Sequence, residues 1–400
     1  MSNVIKFLES MIFKNRIAVL LVFFAATLFL GYQSSQLRLD AGFTKNIPLN
    51  HEYMQNYMKH VNDFGGANSI LVSVCDTDGD IFNQNFFDTL KDVHDQLFFI
   101  NGVDRSLVKS LFSSSTRFTE IVEGGFAGGP VIPADFNSSE QRGLDKVSSN
   151  IEKAGIVGSL VSDDYQCAMV NAKLLDLDPD TGEKLDTLAL AEELETQLRG
   201  KFETDDISIH IIGFAKMIGD VADGAKDVLV FFAIAIAITA ILVYFFCKSL
   251  MLTVLPLVCS VIAVIWQMGL LTLLGFGLDP MSILVPFLVF AIGISHGVQM
   301  INSVGKEVTK GSTSFDAAKL AFTTLLIPGG VALLSDTIGF MTLLVIDIGI
   351  IRELAITASM GVAVIILTNL LLLPVLMSFV KFSDKYKQKF AGKENRADKF

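Results

Sequence analysis

What most constrains this chain is the placing of its apolar residues. They gather into six runs: Ile17–Tyr32, Val228–Phe246, Leu250–Phe276, Met281–Ser303, Ile327–Ile346 and Leu354–Val380. A helix crossing the roughly 30 Å hydrocarbon core of a bilayer needs about 20 apolar residues, and each run meets or approaches that length. Apolar residues make up 51% of the chain and charged residues 18%, against about 25% charged in an ordinary soluble domain. A cytosolic enzyme and a disordered chain are excluded on these grounds. The formal charge of −11 also opposes binding to a phosphate backbone, so no nucleic-acid partner is expected.

Charge is segregated. Residues 33–226 hold 16 basic and 31 acidic side chains, and the remainder holds 15 and 11. The chain therefore divides into 1–32 (cytoplasmic N-terminus and first span), 33–226 (an acidic, water-soluble domain), 227–380 (spans two to six) and 381–400 (a basic tail). Lys6, Lys14 and Arg16 precede span one. Lys248 separates spans two and three, and Lys306, Lys310 and Lys319 lie between four and five. Seven basic residues, from Lys381 to Lys399, follow span six. The positive-inside rule puts all of these, and both termini, in the cytoplasm, with 33–226 on the opposite side. Span one could instead be a cleaved signal peptide, but no A-x-A site follows Leu30, so a retained anchor is the better reading.

The inserted block reads as α+β. Ser69–Cys75 alternates as a strand, Asn83–Phe99 has helical periodicity, and Val103–Leu111 is extended. A Gly/Pro loop, Gly124–Pro133, is followed by a strand over Tyr165–Leu174, a helix over Leu188–Phe202 and a strand over Ile207–Ile212. Two strand–helix–strand sets suggest an internal repeat or split βαβ units. Gly213–Asp227 should run as a continuous helix into span two. Cys75 and Cys167 fall on predicted strands; two buried free thiols is the simpler expectation, and a bridge would need their Cα atoms within about 7 Å. Cys247 and Cys259 are expected to be packing residues in the membrane.

Ionisable groups inside membrane spans are rare and usually functional. His296 stands in span four and Asp336 in span five. Counted from the cytoplasmic ends of the two runs, His296 lies roughly 9–15 Å deep and Asp336 roughly 13 Å, so the spans should bring them to similar depth. His296, Gln299 and Ser303 share a face, with Ser295 and Asn302 beside it, and this polar stripe should face the bundle or water rather than lipid. The pair, with Ser295, could form a proton relay, because an imidazole beside a carboxylate gains and loses a proton near neutrality. The lesser alternatives are a static hydrogen-bonded clamp and a pair that does not touch. Gly293, Gly297, Gly329, Gly330 and Gly339 are expected to permit close helix packing, some of them bending as well.

No Walker loop, G-x-S-x-G or H-E-x-x-H is present, and the five histidines are scattered. No enzyme, cofactor or metal is therefore expected. Phe315–Leu326 reads as a short interfacial helix on the cytoplasmic leaflet, and the Lys-rich tail could favour anionic lipid.

One span, an inserted domain and then five spans is the layout of half a resistance–nodulation–division (RND) transporter. Leu255-Pro256-Leu257, Leu278-Asp279-Pro280, the Gly293–Asn302 segment, Ile346–Leu354, Leu373-Pro374-Val375-Leu376 and Ile211-Ile212-Gly213-Phe214-Ala215-Lys216 occur in the order found in the MMPL-like branch and the related sterol-sensing proteins. Nearly the whole chain resembles that branch. The resemblance implies a bundle of six transmembrane helices, with an extracytoplasmic, porter-like α+β domain of split βαβ units between helices 1 and 2. It implies residence in the bacterial inner membrane, with the large domain periplasmic. The implied function is proton-motive-force-driven export or transfer (efflux by proton antiport) of hydrophobic or lipid-like molecules. The implied partners are membrane lipid, the apolar substrate, a second RND half or further copies of the chain, and a periplasmic or outer-membrane component. Many relatives carry Asp in span four where this chain has Ser295-His296, so a relay here places it on His296, with Asp336 supplying the carboxylate. A non-pumping, sterol-sensing-like lipid-binding or assembly module is the alternative.

Overall fold

The computed structural model describes residues 2–38, 48–64, 68–175, 177–183, 185–279 and 281–382. Pro280 and most of the basic tail lie outside them. The chain forms two compact units, one of Met1–Gln55 with Ala225–Phe400 and one of Asn56–Gly224.

The chain begins with α1 (Ser2–Lys14) and α2 (Arg16–Ser34), followed by α3 (Glu52–Phe64). In the Asn56–Gly224 unit come β1 (Ser69–Asp76), α4 (Gln84–Leu97), β2 (Val103–Lys109), β3 (Arg117–Val122), β4 (Gly125–Pro130), α5 (Gln141–Ala154) and β5 (Cys167–Leu174). Next are α6 (Thr187–Leu194), a π-helical turn (Glu195–Arg199), α7 (Gly200–Phe202) and β6 (Ile207–Gly213). The sheet order is β2-β5-β1-β6 with every neighbour antiparallel. It follows that β1 and β2 run the same way with β5 between them, and β5 and β6 run the same way with β1 between them.

Alternation decides which face is covered. Ile70, Val72 and Val74 of β1 and Ala168, Val170 and Ala172 of β5 are buried, while their strand neighbours, apart from the buried Cys75, are half open. Phe86, Phe87, Leu90, Val93 and Leu97 of α4, at helical spacing, are buried in the same core. Asn83 starts this helix by accepting a hydrogen bond from the Phe86 amide at 2.8 Å, which satisfies an orphan donor of the first turn.

Two expectations for this unit are corrected. Cys75 and Cys167 are not free thiols: they oppose each other in the β1/β5 register, with Cα atoms 4.1 Å apart, and are disulfide-bonded. Sequence spacing could not show this, because residues 92 positions apart meet only through the sheet. The Gly124–Pro133 loop is largely a strand of the β3/β4 hairpin, where Gly124 (φ 97°) and Gly125 (φ 152°) take turn conformations that suit glycine.

From β6 the chain continues without a break into α8 (Phe214–Cys247), the helix expected over Gly213–Asp227. Lys248, at a positive φ of 51°, and Ser249 turn it into α9 (Leu250–Leu273). A 3-10 turn (Ser282–Leu284) leads to α10 (Val285–Thr309). Then come α11 (Ser314–Met341), a 3-10 turn (Thr342–Val345) and α12 (Gly349–Ile365). A π-helical segment (Ile366–Leu372) joins α12 to α13 (Leu373–Met377). Among the described residues, six helical stretches, beginning at Arg16, Phe214, Leu250, Ser282, Ser314 and Gly349, are long and apolar enough to cross a membrane.

The interfacial helix expected over Phe315–Leu326 does not exist as a separate element. It is the first part of α11, capped by Thr313, whose hydroxyl accepts from the Asp316 amide at 3.1 Å. Its apolar face looks interfacial in sequence because Ala317, Ala318, Ala321 and Phe322 line one side. That side packs into the bundle core, not onto lipid.

Several contacts tie the N-terminal helices to the bundle. The Arg16 guanidinium lies 4.7 Å from the Phe315 ring centre and 4.4 Å from that of Phe379, and donates to Ser378 Oγ at 3.0 Å. Gly269 of α9 lets α2 approach so closely that a Cβ there would meet the Leu30 carbonyl oxygen at 2.3 Å.

Candidate functional site

His296 sits on α10, half-buried, with Nδ1 fully buried and without a hydrogen-bond partner. Gly329 of α11 lies close by: a Cβ there would lie 3.8 Å from Nδ1 and 3.1 Å from Leu370 of the π-helical segment. The imidazole is thus set beside α11 and span six.

Asp336 lies two helical turns beyond Gly329, roughly 10 Å along α11 and on the same face. No hydrogen bond or ion pair joins it to His296 among the described residues. The two ionisable residues are offset along the helices, since it is Gly329 rather than Asp336 that stands close to the imidazole. Asp336 and the adjoining Ser335 are exposed from the chain's own bundle.

The polar stripe on α10 is divided. Ser295 and Gln299 are exposed, and His296, Asn302 and Ser303 are half-buried. The stripe therefore borders the bundle instead of pointing into it. Of the five glycines, three make close contacts. A Cβ at Gly293 would meet Ser260 Oγ at 2.7 Å, one at Gly297 would meet Pro256 Cβ at 2.6 Å, and Gly329 faces Leu370 and His296. Gly330 and Gly339 have nothing within 4 Å of such an atom, so packing does not account for them.

The interior of the bundle holds polar groups that the sequence reading passed over. Ser260 and Gln267 of α9, Thr357 of α12 and Asn369 of the π-helical segment are fully buried. Ser260 Oγ, both polar atoms of Gln267, Thr357 Oγ1 and Asn369 Oδ1 have no partner. A count of uncharged polar residues within the spans would have found them; attention to ionisable groups alone did not. At the start of span four Asp279 is also buried: Oδ1 accepts from the amides of Met281 at 2.7 Å and Ser282 at 2.8 Å, while Oδ2 is unpartnered. That carboxylate caps the helix start.

The order of motifs along six spans and an inserted sheet unit can be compared with known proteins. The model of the MMPL family matches residues 50–394. The chain belongs to the MMPL family. MMPL proteins form one family of the RND superfamily, so the layout read from the sequence holds at this level. A membrane protein of Methanocaldococcus jannaschii is 21% identical over 383 residues, covering 90% of this chain and 89% of its own length. Its name goes no further than that description. MMPL membership makes this a membrane protein of a transporter family. The match covers every residue of the candidate site and the whole inserted sheet unit.

Proposed function

We propose that this MMPL chain is one half of an RND-type transporter, driven by the proton-motive force, that exports or transfers hydrophobic or lipid-like molecules. One observation carries the reading. A membrane-embedded imidazole, buried at Nδ1 and without a hydrogen-bond partner, lies beside the helix that carries a second ionisable group, Asp336. Keeping two ionisable groups in an apolar bundle is costly, and a group that must bind and release a proton justifies that cost. In this reading His296 carries the proton, Asp336 stabilises its charged form, and Ser295 and Gln299 border the route.

Asp336 also bears on the partner. An exposed carboxylate in an apolar helix calls for a protein or water-lined neighbour, which a second RND half or another copy of this chain would supply. The Cys75–Cys167 disulfide supports an oxidising surrounding for the sheet unit. This agrees with a periplasmic domain, cytoplasmic termini and residence in a bacterial inner membrane. The two interleaved same-direction strand pairs support the reading of split βαβ units, as in a porter-like domain that hands substrate to a periplasmic or outer-membrane partner.

The test is transport of a fluorescent lipid analogue by the reconstituted chain under an imposed pH gradient. His296→Ala should abolish gradient-dependent movement at normal expression, and Asp336→Asn should reduce it. Unchanged transport in His296→Ala would overturn the relay. A non-pumping, lipid-binding module is the second reading, favoured by the missing bond between His296 and Asp336. It requires lipid binding that is indifferent to the gradient.

A further inference from the structure

Ser260, Gln267, Thr357 and Asn369 come from three different stretches of chain yet form one column. At one level, Gly361 of α12 approaches α9 and α10 so that its Cβ would meet Gln267 Cγ at 3.1 Å and Val289 Cγ2 at 2.3 Å. Thr357 is one turn away on the same face of α12. At the next level, Gly293 faces both Ser260 Oγ and Asn369 Nδ2, the latter at 3.2 Å from its Cβ position. Gly297 faces Asn369 Oδ1 at 3.3 Å. Along α9 the two levels are roughly 10 Å apart. His296 adjoins Gly297 in sequence, and Leu370, the neighbour of Asn369, lies with it against Gly329.

The π-helical segment makes this meeting possible. Its wider turn sets Asn369 toward α10 and the adjoining Leu370 toward α11 and His296. Such segments inside α-helices concentrate at functional sites.

A dry column of this kind is unfavourable. Leaving a buried donor or acceptor unpaired costs more than immobilising a water that pairs with it, and a buried water commonly satisfies two to four such groups. The ligand must accept as well as donate, because Gln267 leaves its Nε2 donor unpaired along with its acceptors. A bare cation cannot accept a hydrogen bond, and none of the four residues is acidic.

We propose that this column is a hydrated conduit: water bound in sequence at Gln267 and Thr357, then at Ser260 and Asn369, connects the end of the bundle marked by Asp279 to the imidazole of His296. What the water carries rests on the relay reading above, and there it is the proton. The hydration itself stands independently of transport.

Ser260→Cys tests it in the full chain in liposomes, using the small water-soluble thiol reagent methanethiosulfonate ethylammonium and peptide-resolved mass spectrometry. Native Cys259, next on the same helix and fully buried in the apolar core, is the internal dry reference. The engineered thiol should react an order of magnitude faster than Cys259, and so should Asn369→Cys. Reaction as slow as that of Cys259 at both positions overturns the conduit. Protection of Ser260→Cys by sodium, against choline at equal ionic strength, also overturns it, in favour of a cation site. Gln267→Leu gives a second reading that needs no reagent. A dry, unpaired amide replaced by Leu raises the unfolding temperature, which would refute the conduit; a hydrated one leaves it unchanged or lowered. None of these readouts requires transport, so an unchanged His296→Ala transporter would leave them standing.

Discussion

Gly329 of α11 and His296 of α10 are in register: a methyl group on the glycine would lie 3.8 Å from the imidazole Nδ1 and 3.1 Å from the tip of Leu370. Two terms then oppose each other in Gly329→Ala. Alanine gains about 1 kcal/mol of helix propensity over glycine, and the Leu370 terminus can give by the few tenths of an ångström required. The variant should fold with near-wild-type stability. Gly361→Ala is the contrast, since its methyl would sit 2.3 Å from Val289 Cγ2. Overpacking of about 1–3 kcal/mol outweighs the propensity gain. Thermal unfolding in detergent should separate the two variants, and a Gly361→Ala protein as stable as wild type would contradict the packing described.

The Cys75–Cys167 bridge closes a long loop across the sheet, joining residues 92 positions apart. Cross-links of that span typically contribute about 2–5 kcal/mol. Non-reducing peptide mapping should recover the linked pair. Reductant, or Cys75→Ala with Cys167→Ala, should lower the unfolding temperature of the sheet unit and spare that of the helical bundle.

Acid should weaken the sheet unit through His94. The side chain is buried on α4, with Nδ1 hydrogen-bonded to Ser110 Oγ at 2.9 Å. Burial holds its pKa below the ordinary 6.5, and the nearby Asp95 charge only partly opposes this. The unfolded chain therefore takes up the proton first. This contribution to stability is complete above about pH 6.5 and is lost as pH falls below that value. His94→Asn, whose Oδ1 can stand in for Nδ1, should flatten the decline between about pH 7 and pH 5. An equally steep decline in the variant would assign the acid sensitivity to other groups.

Arg16 stacks between Phe315 and Phe379 and donates to Ser378. Arg16→Lys keeps the charge but loses the planar stack. It should cost about 0.5–2 kcal/mol, the range of a cation–π contact between exposed and desolvated settings. The measurement is denaturant unfolding beside Arg16→Ala. A lysine variant indistinguishable from wild type would reduce the contact to a topology signal.

The six spans were legible because a bilayer demands long apolar runs, and hydropathy records them directly. The sheet strands were legible because Ile70, Val72 and Val74 alternate. The limits of α11 were not, since Ala317, Ala318 and Ala321 look the same whether they face lipid or a neighbouring helix. The disulfide was hidden because its partners meet only through strand pairing. His296 was found by its charge chemistry. Asn369 and Gln267 escaped because an uncharged amide in a span announces itself weakly, and its burial depends on which face a helix turns inward. The relation of His296 to Asp336 was not legible, because which residue of α11 stands close to an imidazole on α10 depends on how the two helices pack, and Gly329 takes that place.

The π-helical segment Ile366–Leu372 bears on how the last span should be scanned by mutation. A π insertion adds one residue to the helical count, so a helical wheel drawn straight through Gly349–Met377 turns everything after Leu372 by about 100°. Met377 and Val375, both fully buried, would be assigned to the wrong sector of that wheel. A periodicity analysis of cysteine or tryptophan scanning data across this span should therefore show two phases with a break at the segment, and fitting a single phase would average lipid-facing and protein-facing positions together.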